Sequence, residues 1–149
     1  MSTPRSAAPL AAPSLPFSVG EVITNKTLYT TFKCACEGGV RYSSAYHVLV
    51  LVSNFVDPRH VGGMWKDGVL YYTGAGKNGD QTLEKGSNKR LLEFAQQGLP
   101  IYYFEVRTQG RYDYRGELEA AGKPFQREEP GADGASRKAW IFPLRLRAV

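Results

Sequence analysis

The sequence predicts a β-rich α+β fold, a barrel carrying one or two short helices. Three observations carry that expectation. Short apolar runs of strand length recur at residues 46–52, 69–73, 101–106, 112–118 and 140–146. Between them stand Gly, Pro and Asp-Gly signals that punctuate turns. One segment only, residues 87–97, has clear helical spacing and helical punctuation at its end.

Each element follows from local chemistry. Residues 1–16 are rich in Ala, Pro and Ser and are broken by Pro9 and Pro13, so they are expected to form a flexible tail rather than a signal peptide. Residues 17–149 form a single expected domain, with no internal repeat. Residues 20–29 are ambiguous and leave room for a short helix. The Gly38-Gly39 pair and its small polar neighbours mark residues 36–44 as a loop. Residues 46–52 are apolar and β-branched, which fits a buried strand. Asp57-Pro58, Gly62-Gly63 and Asp67-Gly68 make residues 54–68 a long loop, and residues 69–73 return as a strand.

Ser87 is a plausible N-cap for a helix through Gln97, with Leu91 and Ala95 one turn apart on its inner face. Gly98 and Pro100 stop that helix. Residues 101–106 and 112–118 pair around Thr108-Gln109-Gly110. Residues 123–137 form a polar excursion with Gly131 and Gly134 near its tip. Residues 140–146 close the chain as a strand, and Pro143 places it at an edge or a bulge.

Composition narrows the function classes. Nineteen Lys and Arg against 14 acids give a formal charge of +5, which suits a polyanion without requiring one. The basic residues are dispersed, so folding must assemble any binding face. Cys34 and Cys36 are separated by one residue, which makes a mutual disulfide awkward, and no further Cys or clustered His accompanies them. Two reduced thiols in a cytoplasmic protein are the expectation. No apolar run approaches the roughly 20 residues that span a bilayer. His47 lies in a strand-like run and His60 in a loop, so no catalytic residue, metal or cofactor is assigned.

The stretch Tyr72-Thr73-Gly74-Ala75-Gly76, then Gly79-Asp80-Gln81, then Asn88 with Leu91, joins a strand end to a Gly-rich loop and a helix. With Gly98 and Pro100, Phe104-Glu105, Tyr112, Tyr114 and Gly116, and Trp140-Ile141-Phe142-Pro143-Leu144, it resembles the SRA (YDG) domain of the PUA-like superfamily. The similarity is to the branch found beside HNH nucleases in modification-dependent restriction enzymes. It runs over residues 17–146 and implies a PUA-like barrel that takes a modified base out of duplex DNA.

The resemblance implies the site as well. Tyr72 would stack on the extruded base, with Thr73 beside the ring. Phe55, Asp57 and Trp65 would complete the pocket, Asp57 accepting a hydrogen bond from an exocyclic amine; Phe55 stands where Tyr is usual. Gly74, Gly76 and Gly79 allow close approach to phosphate, and Gly76-Lys77 is not a nucleotide P-loop, since no Ser or Thr follows. Arg41, Ser43, Lys77, Asn78 and Lys89 are the expected contacts to the DNA backbone. Asp80 and Gln81 are expected to tie the loop to the helix N-terminus. The partner is thus double-stranded DNA carrying a modified base, foremost a modified cytosine, with a nuclease domain or subunit and a homodimer as further partners. A PUA-like RNA-binding module is the alternative, and an endonuclease in its own right a weaker one.

Overall fold

The computed structural model describes residues 13–56 and 63–148. In chain order the elements are β1 (Val22–Ile23), α1 (Asn25–Phe32), β2 (Val40–Ser43), β3 (Val48–Asn54), β4 (Gly63–Lys66), β5 (Val69–Thr73), α2 (Gly86–Gln97), β6 (Ile101–Thr108), β7 (Arg111–Ala120), β8 (Phe125–Pro130) and β9 (Ser136–Leu146). The main sheet runs β2-β3-β6-β7-β9-β5-β4, with β1 added on β7 and β8 on β9. Among the described residues only β3 and β6 pair in parallel, Leu49 opposite Ile101 through Asn54 opposite Val106. That pair is covered on both faces, which explains its unbroken apolar sequence.

Alternation along β3 and β6 divides the core in two. Leu49, Leu51, Ile101 and Tyr103 face the barrel interior, where Leu91 and Phe94 of α2 pack with Leu70, Leu118, Phe142 and Leu144. Val48, Val50, Val52, Tyr102 and Phe104 face outward onto Leu28 and Phe32 of α1, with Phe17 and Tyr114. The sheet curls on itself: the Tyr72 hydroxyl of β5 donates to the Val52 carbonyl of β3 at 3.1 Å. A Cβ at Gly39 would collide with that hydroxyl, so the Gly pair before β2 lets the barrel close.

The helices differ in their caps. Thr24 caps α1, its side chain accepting from the Thr27 N–H at 3.1 Å, and Lys33 ends it in a left-handed conformation. In α2 the N-cap is Lys85, not Ser87, and no side chain caps it; the turn is made by Gly86 at φ +67°. Gly98, at φ +66°, stops α2 as expected.

Three expected loops contain strands. β2 lies in the segment expected to be a loop at 36–44, β4 within 54–68, and β8 with the start of β9 within 123–137. β8 is largely exposed and pairs only with β9, so it shows no apolar signature. Pro143 lies inside the sheet rather than at an edge. The ladder of β9 to β8 ends at Ile141 and that to β7 begins at Leu144. The proline thus occupies the gap between two ladders, where a missing N–H leaves no pairing broken.

Candidate nucleic-acid interface

Beyond the apolar interior, the inward face of β3 and β6 continues with Ser53 and Glu105, directly opposite each other in the register. These two polar residues sit at the barrel mouth, where β3 runs out towards Phe55. Glu105 is only 2% exposed. A buried carboxylate needs donors, and the fold supplies them. Trp65 Nε1 of β4 donates to Glu105 Oε2 at 2.7 Å. The Tyr103 hydroxyl lies 3.0 Å from the same oxygen and 2.9 Å from Ser53 Oγ. A carboxylate only accepts, so Tyr103 donates to Glu105 and takes its second bond from Ser53. Burial pushes the Tyr103 hydroxyl far above the usual phenol range, so it stays a neutral donor. The indole meets the Tyr103 ring edge-on, with centroids 6.0 Å apart.

The other carboxylate oxygen faces outward. Arg107 Nη2 is 3.4 Å and Arg115 Nη1 3.7 Å from Glu105 Oε1. Arg107 also lies over the Phe55 ring, 4.2 Å from its centroid, and Phe55 is itself exposed. This end of the barrel therefore carries Trp65 and Phe55 at its surface, the buried network of Ser53, Tyr103 and Glu105 beneath them, and two cations at its rim.

The Gly-rich loop after β5 is tied down by side-chain amides. Gln81 Nε2 donates to the carbonyls of Gly74 and Gly76 at 2.7 and 3.0 Å, while its Oε1 accepts from the Trp140 N–H at 2.8 Å. Asn88 of α2 bonds both the N–H and the carbonyl of Ala75, at 2.7 and 3.0 Å. Asp80 accepts from the Lys138 N–H at 2.8 Å. Asp80 and Gln81 thus hold the loop to β9, and the tie to the helix is made by Asn88 instead. Beneath the loop, Arg137 is buried, with Nη1 donating to the Gly76 carbonyl, while Nε and Nη2 have no protein partner.

The expected site residues do not all come together. Trp65 and Phe55 lie at the mouth with accessible surface, while Tyr72 and Thr73 are buried beneath it, Tyr72 only 3% exposed. That placement makes Tyr72 a barrel aromatic in this conformation. Asp57 and His60 lie outside the described residues. Lys77, Asn78 and Lys89 are exposed; Asn78 Oδ1 accepts from the Asp133 N–H at 2.8 Å, and Lys89 borders a groove of about 390 Å³ between β2 and α2, where Arg90 stacks 3.7 Å from the Tyr42 ring.

Arg41 and Ser43 depart from the expected phosphate contact. Arg41 is buried, its guanidinium donating to the Gly38 carbonyl at 2.8 Å and to Asn25 Oδ1 at 2.6 Å. Ser43 is fully buried and accepts from the Tyr46 N–H at 3.3 Å. Both hold the approach to β3 in place. His47 is in the turn before β3 at φ +54°, its Nδ1 2.9 Å from the Tyr42 hydroxyl, rather than within the strand. Among the described residues no group of three His, Cys, Asp or Glu side chains is placed to hold a metal, and no helix is long and apolar enough to cross a membrane.

The residues missed from sequence are Ser53, Tyr103, Glu105, Arg107 and Arg115. One signal was present: Glu105 is an acid inside an otherwise apolar strand, a pattern that demands buried partners.

The two helices and nine-stranded mixed sheet of the described residues are the fold of solved SRA domains. The SRA domain of SUVH5 bound to hemi-methylated CG DNA aligns with a TM-score of 0.67 at 22% identity, over 94% of this chain and 96% of that one. The sulfur-binding and SRA domains of ScoMcrA, complexed with phosphorothioated DNA, align at 0.73 and 19%, over 91% and 41%. The modification-dependent restriction endonuclease AspBHI aligns at 0.62 and 17%, over 83% and 38%. More narrowly, residues 19–148 match the model of the ScoMcrA-like SRA domain, and the chain belongs to that family. It spans less than half of either ScoMcrA chain it matches, 41% of the two-domain structure and 29% of the Type IV phosphorothioation-dependent endonuclease. No curated protein matches the sequence.

Proposed function

We propose that this chain is the reader domain of a modification-dependent restriction system. It binds duplex DNA that carries a modified base, foremost 5-methyl- or 5-hydroxymethylcytosine, and draws that base out of the helix into the barrel mouth. The observation that carries this reading is the fixed polar network of Ser53, Tyr103, Glu105 and Trp65 at the mouth of an SRA barrel. Extrusion loses a few kcal/mol of stacking and pairing, which aromatic faces and hydrogen bonds to the base edge must offset. Trp65 and Phe55 offer those faces, and Tyr72 and Thr73 form the floor. Lys77, Asn78 and Lys89 are exposed and would contact the DNA backbone.

The SRA structures solved with methylated and phosphorothioated DNA support the ligand class, and the restriction endonucleases among the neighbours support the setting. The reading places the protein in the cytoplasm, with cleavage assigned to an HNH nuclease domain or subunit and with homodimerisation as a further contact. The test is a binding series on matched duplexes carrying cytosine, 5-methylcytosine, 5-hydroxymethylcytosine, N6-methyladenine or a phosphorothioate linkage. Preference for a modified-cytosine duplex supports the reading. Equal affinity for all five, or preference for single-stranded RNA, overturns it.

A further inference from the structure

The β6–β7 hairpin carries Arg107, Arg111 and Arg115 beside the barrel mouth, and the side chains of Arg107 and Arg115 are 61% and 42% exposed. Both converge on Glu105 Oε1, at 3.4 and 3.7 Å. Charge-assisted bonds normally close to about 2.7–2.9 Å. Glu105 therefore orients these guanidiniums without saturating them, and each has five N–H donors to offer. Its other oxygen is occupied by Trp65 Nε1 and the Tyr103 hydroxyl. One buried carboxylate thus joins the aromatic wall of the mouth to the cations at its rim. Phe55 backs Arg107 from the far side at 4.2 Å, and its own N–H is held by the Val106 carbonyl at 2.8 Å.

We propose that Arg107 and Arg115 form a phosphate-binding edge for the DNA strand at the barrel mouth, and that Glu105 is the positioning residue that couples this edge to Trp65. The inference rests on the reader assignment above and adds to it where the backbone is gripped. The partner is a phosphodiester, because a planar guanidinium pair at the end of the barrel that would receive the base suits successive oxyanions of the strand that delivers it. Asp113 accompanies Arg115 at 3.8 Å, and with Arg111 on the same hairpin three arginines stand against the two acids Glu105 and Asp113.

The role of Glu105 has a distinctive sign. Removing a negative charge beside a polyanion strengthens binding if only long-range electrostatics operates. A positioning role requires the opposite, since the arginines and the indole lose their common anchor. The experiment measures affinity of the full chain for a 5-methylcytosine duplex and its unmodified counterpart across a salt series. R107Q and R115Q are expected to weaken both duplexes alike and to reduce the salt slope by about one each. E105Q is expected to weaken the modified duplex more than tenfold and to shift the Trp65 emission, with E105D restoring part of both.

Unchanged salt slopes in R107Q and R115Q overturn the phosphate edge, and tighter binding by E105Q overturns the positioning role. Both arginines are exposed, so their variants remain informative even if E105Q does not fold. A wild-type chain that binds neither duplex instead removes the reader assignment itself, which separates the two failures.

Discussion

Replacing Trp65 tests the mouth most sharply, because its two functions can be separated. Its indole N–H donates to the buried Glu105 carboxylate at 2.7 Å, and its ring is the accessible aromatic wall beside Tyr103. Trp65→Phe keeps a ring and removes the donor. A hydrogen bond to a charged group contributes about 1.5–3 kcal/mol, so this variant should melt roughly 3–12 °C lower at this chain length and, with its ring no longer anchored to Glu105, bind the modified duplex more weakly than the wild type but more tightly than Trp65→Ala. Trp65→Ala removes the stacking face as well. One lost base–aromatic stack is worth about 1–3 kcal/mol, which corresponds to about a 5- to 150-fold weaker Kd for the modified duplex. Fluorescence anisotropy on matched duplexes, with thermal melts as a control for folding, reads both effects. If Trp65→Ala binds the modified duplex as the wild type does, the mouth is not where the base goes.

Other expectations follow from single contacts. Arg137→Met should leave stability unchanged or raise it, because a buried guanidinium with two unpartnered nitrogens is replaced by an apolar side chain; a fall of more than about 3 kcal/mol in denaturant unfolding would show a compensated charge there. Gly39→Ala should destabilise the barrel by about 1–3 kcal/mol, since the new methyl collides with the Tyr72 hydroxyl, and a wild-type unfolding midpoint would refute the closure described for β2 and β5. Burial raises the Cys34 thiol to about 11, so at pH 8 it stays protonated. Iodoacetamide at that pH should modify the exposed Cys36 first, and mass spectrometry showing the reverse order would contradict the placement of Cys34.

The sequence revealed those strands whose side chains the core requires. β3, β5, β6, β7 and the second half of β9 each present apolar residues to a packed face, so their periodicity could be read directly. β2, β4 and β8 could not be read this way. Glycines open the approach to β2 and β4, and β8 is a largely exposed, charged ribbon paired to β9, with Phe125 against the Tyr71 ring. The helix stop at Gly98 was legible because a left-handed cap favours glycine, whereas the start at Lys85 carries no side-chain cap to announce it.

The site divided along similar lines. Gln81 and Asp80 were recognisable as ties for the Gly-rich turn, but they hold it to β9, and the helix end that was expected is reached through Asn88. Arg41 and Ser43 misled because a polar residue in a Gly-rich stretch ordinarily faces water, and here both are enclosed by α1 and the turn before β3. Glu105 was hidden for the converse reason. Arg107 lies on its own strand and Arg115 on the paired β7, but Trp65 comes from β4, which only closure of the barrel brings within reach.

The central claim is that the modified base leaves the duplex and enters the barrel mouth. The most direct measurement places 2-aminopurine next to 5-methylcytosine in a duplex and follows its fluorescence as the protein is added. Loss of the stacked neighbour should raise the emission on binding, and a matched duplex with unmodified cytosine should stay dim at the same occupancy. Tight binding of the methylated duplex with no rise in emission, or an equal rise with both duplexes, would contradict the account.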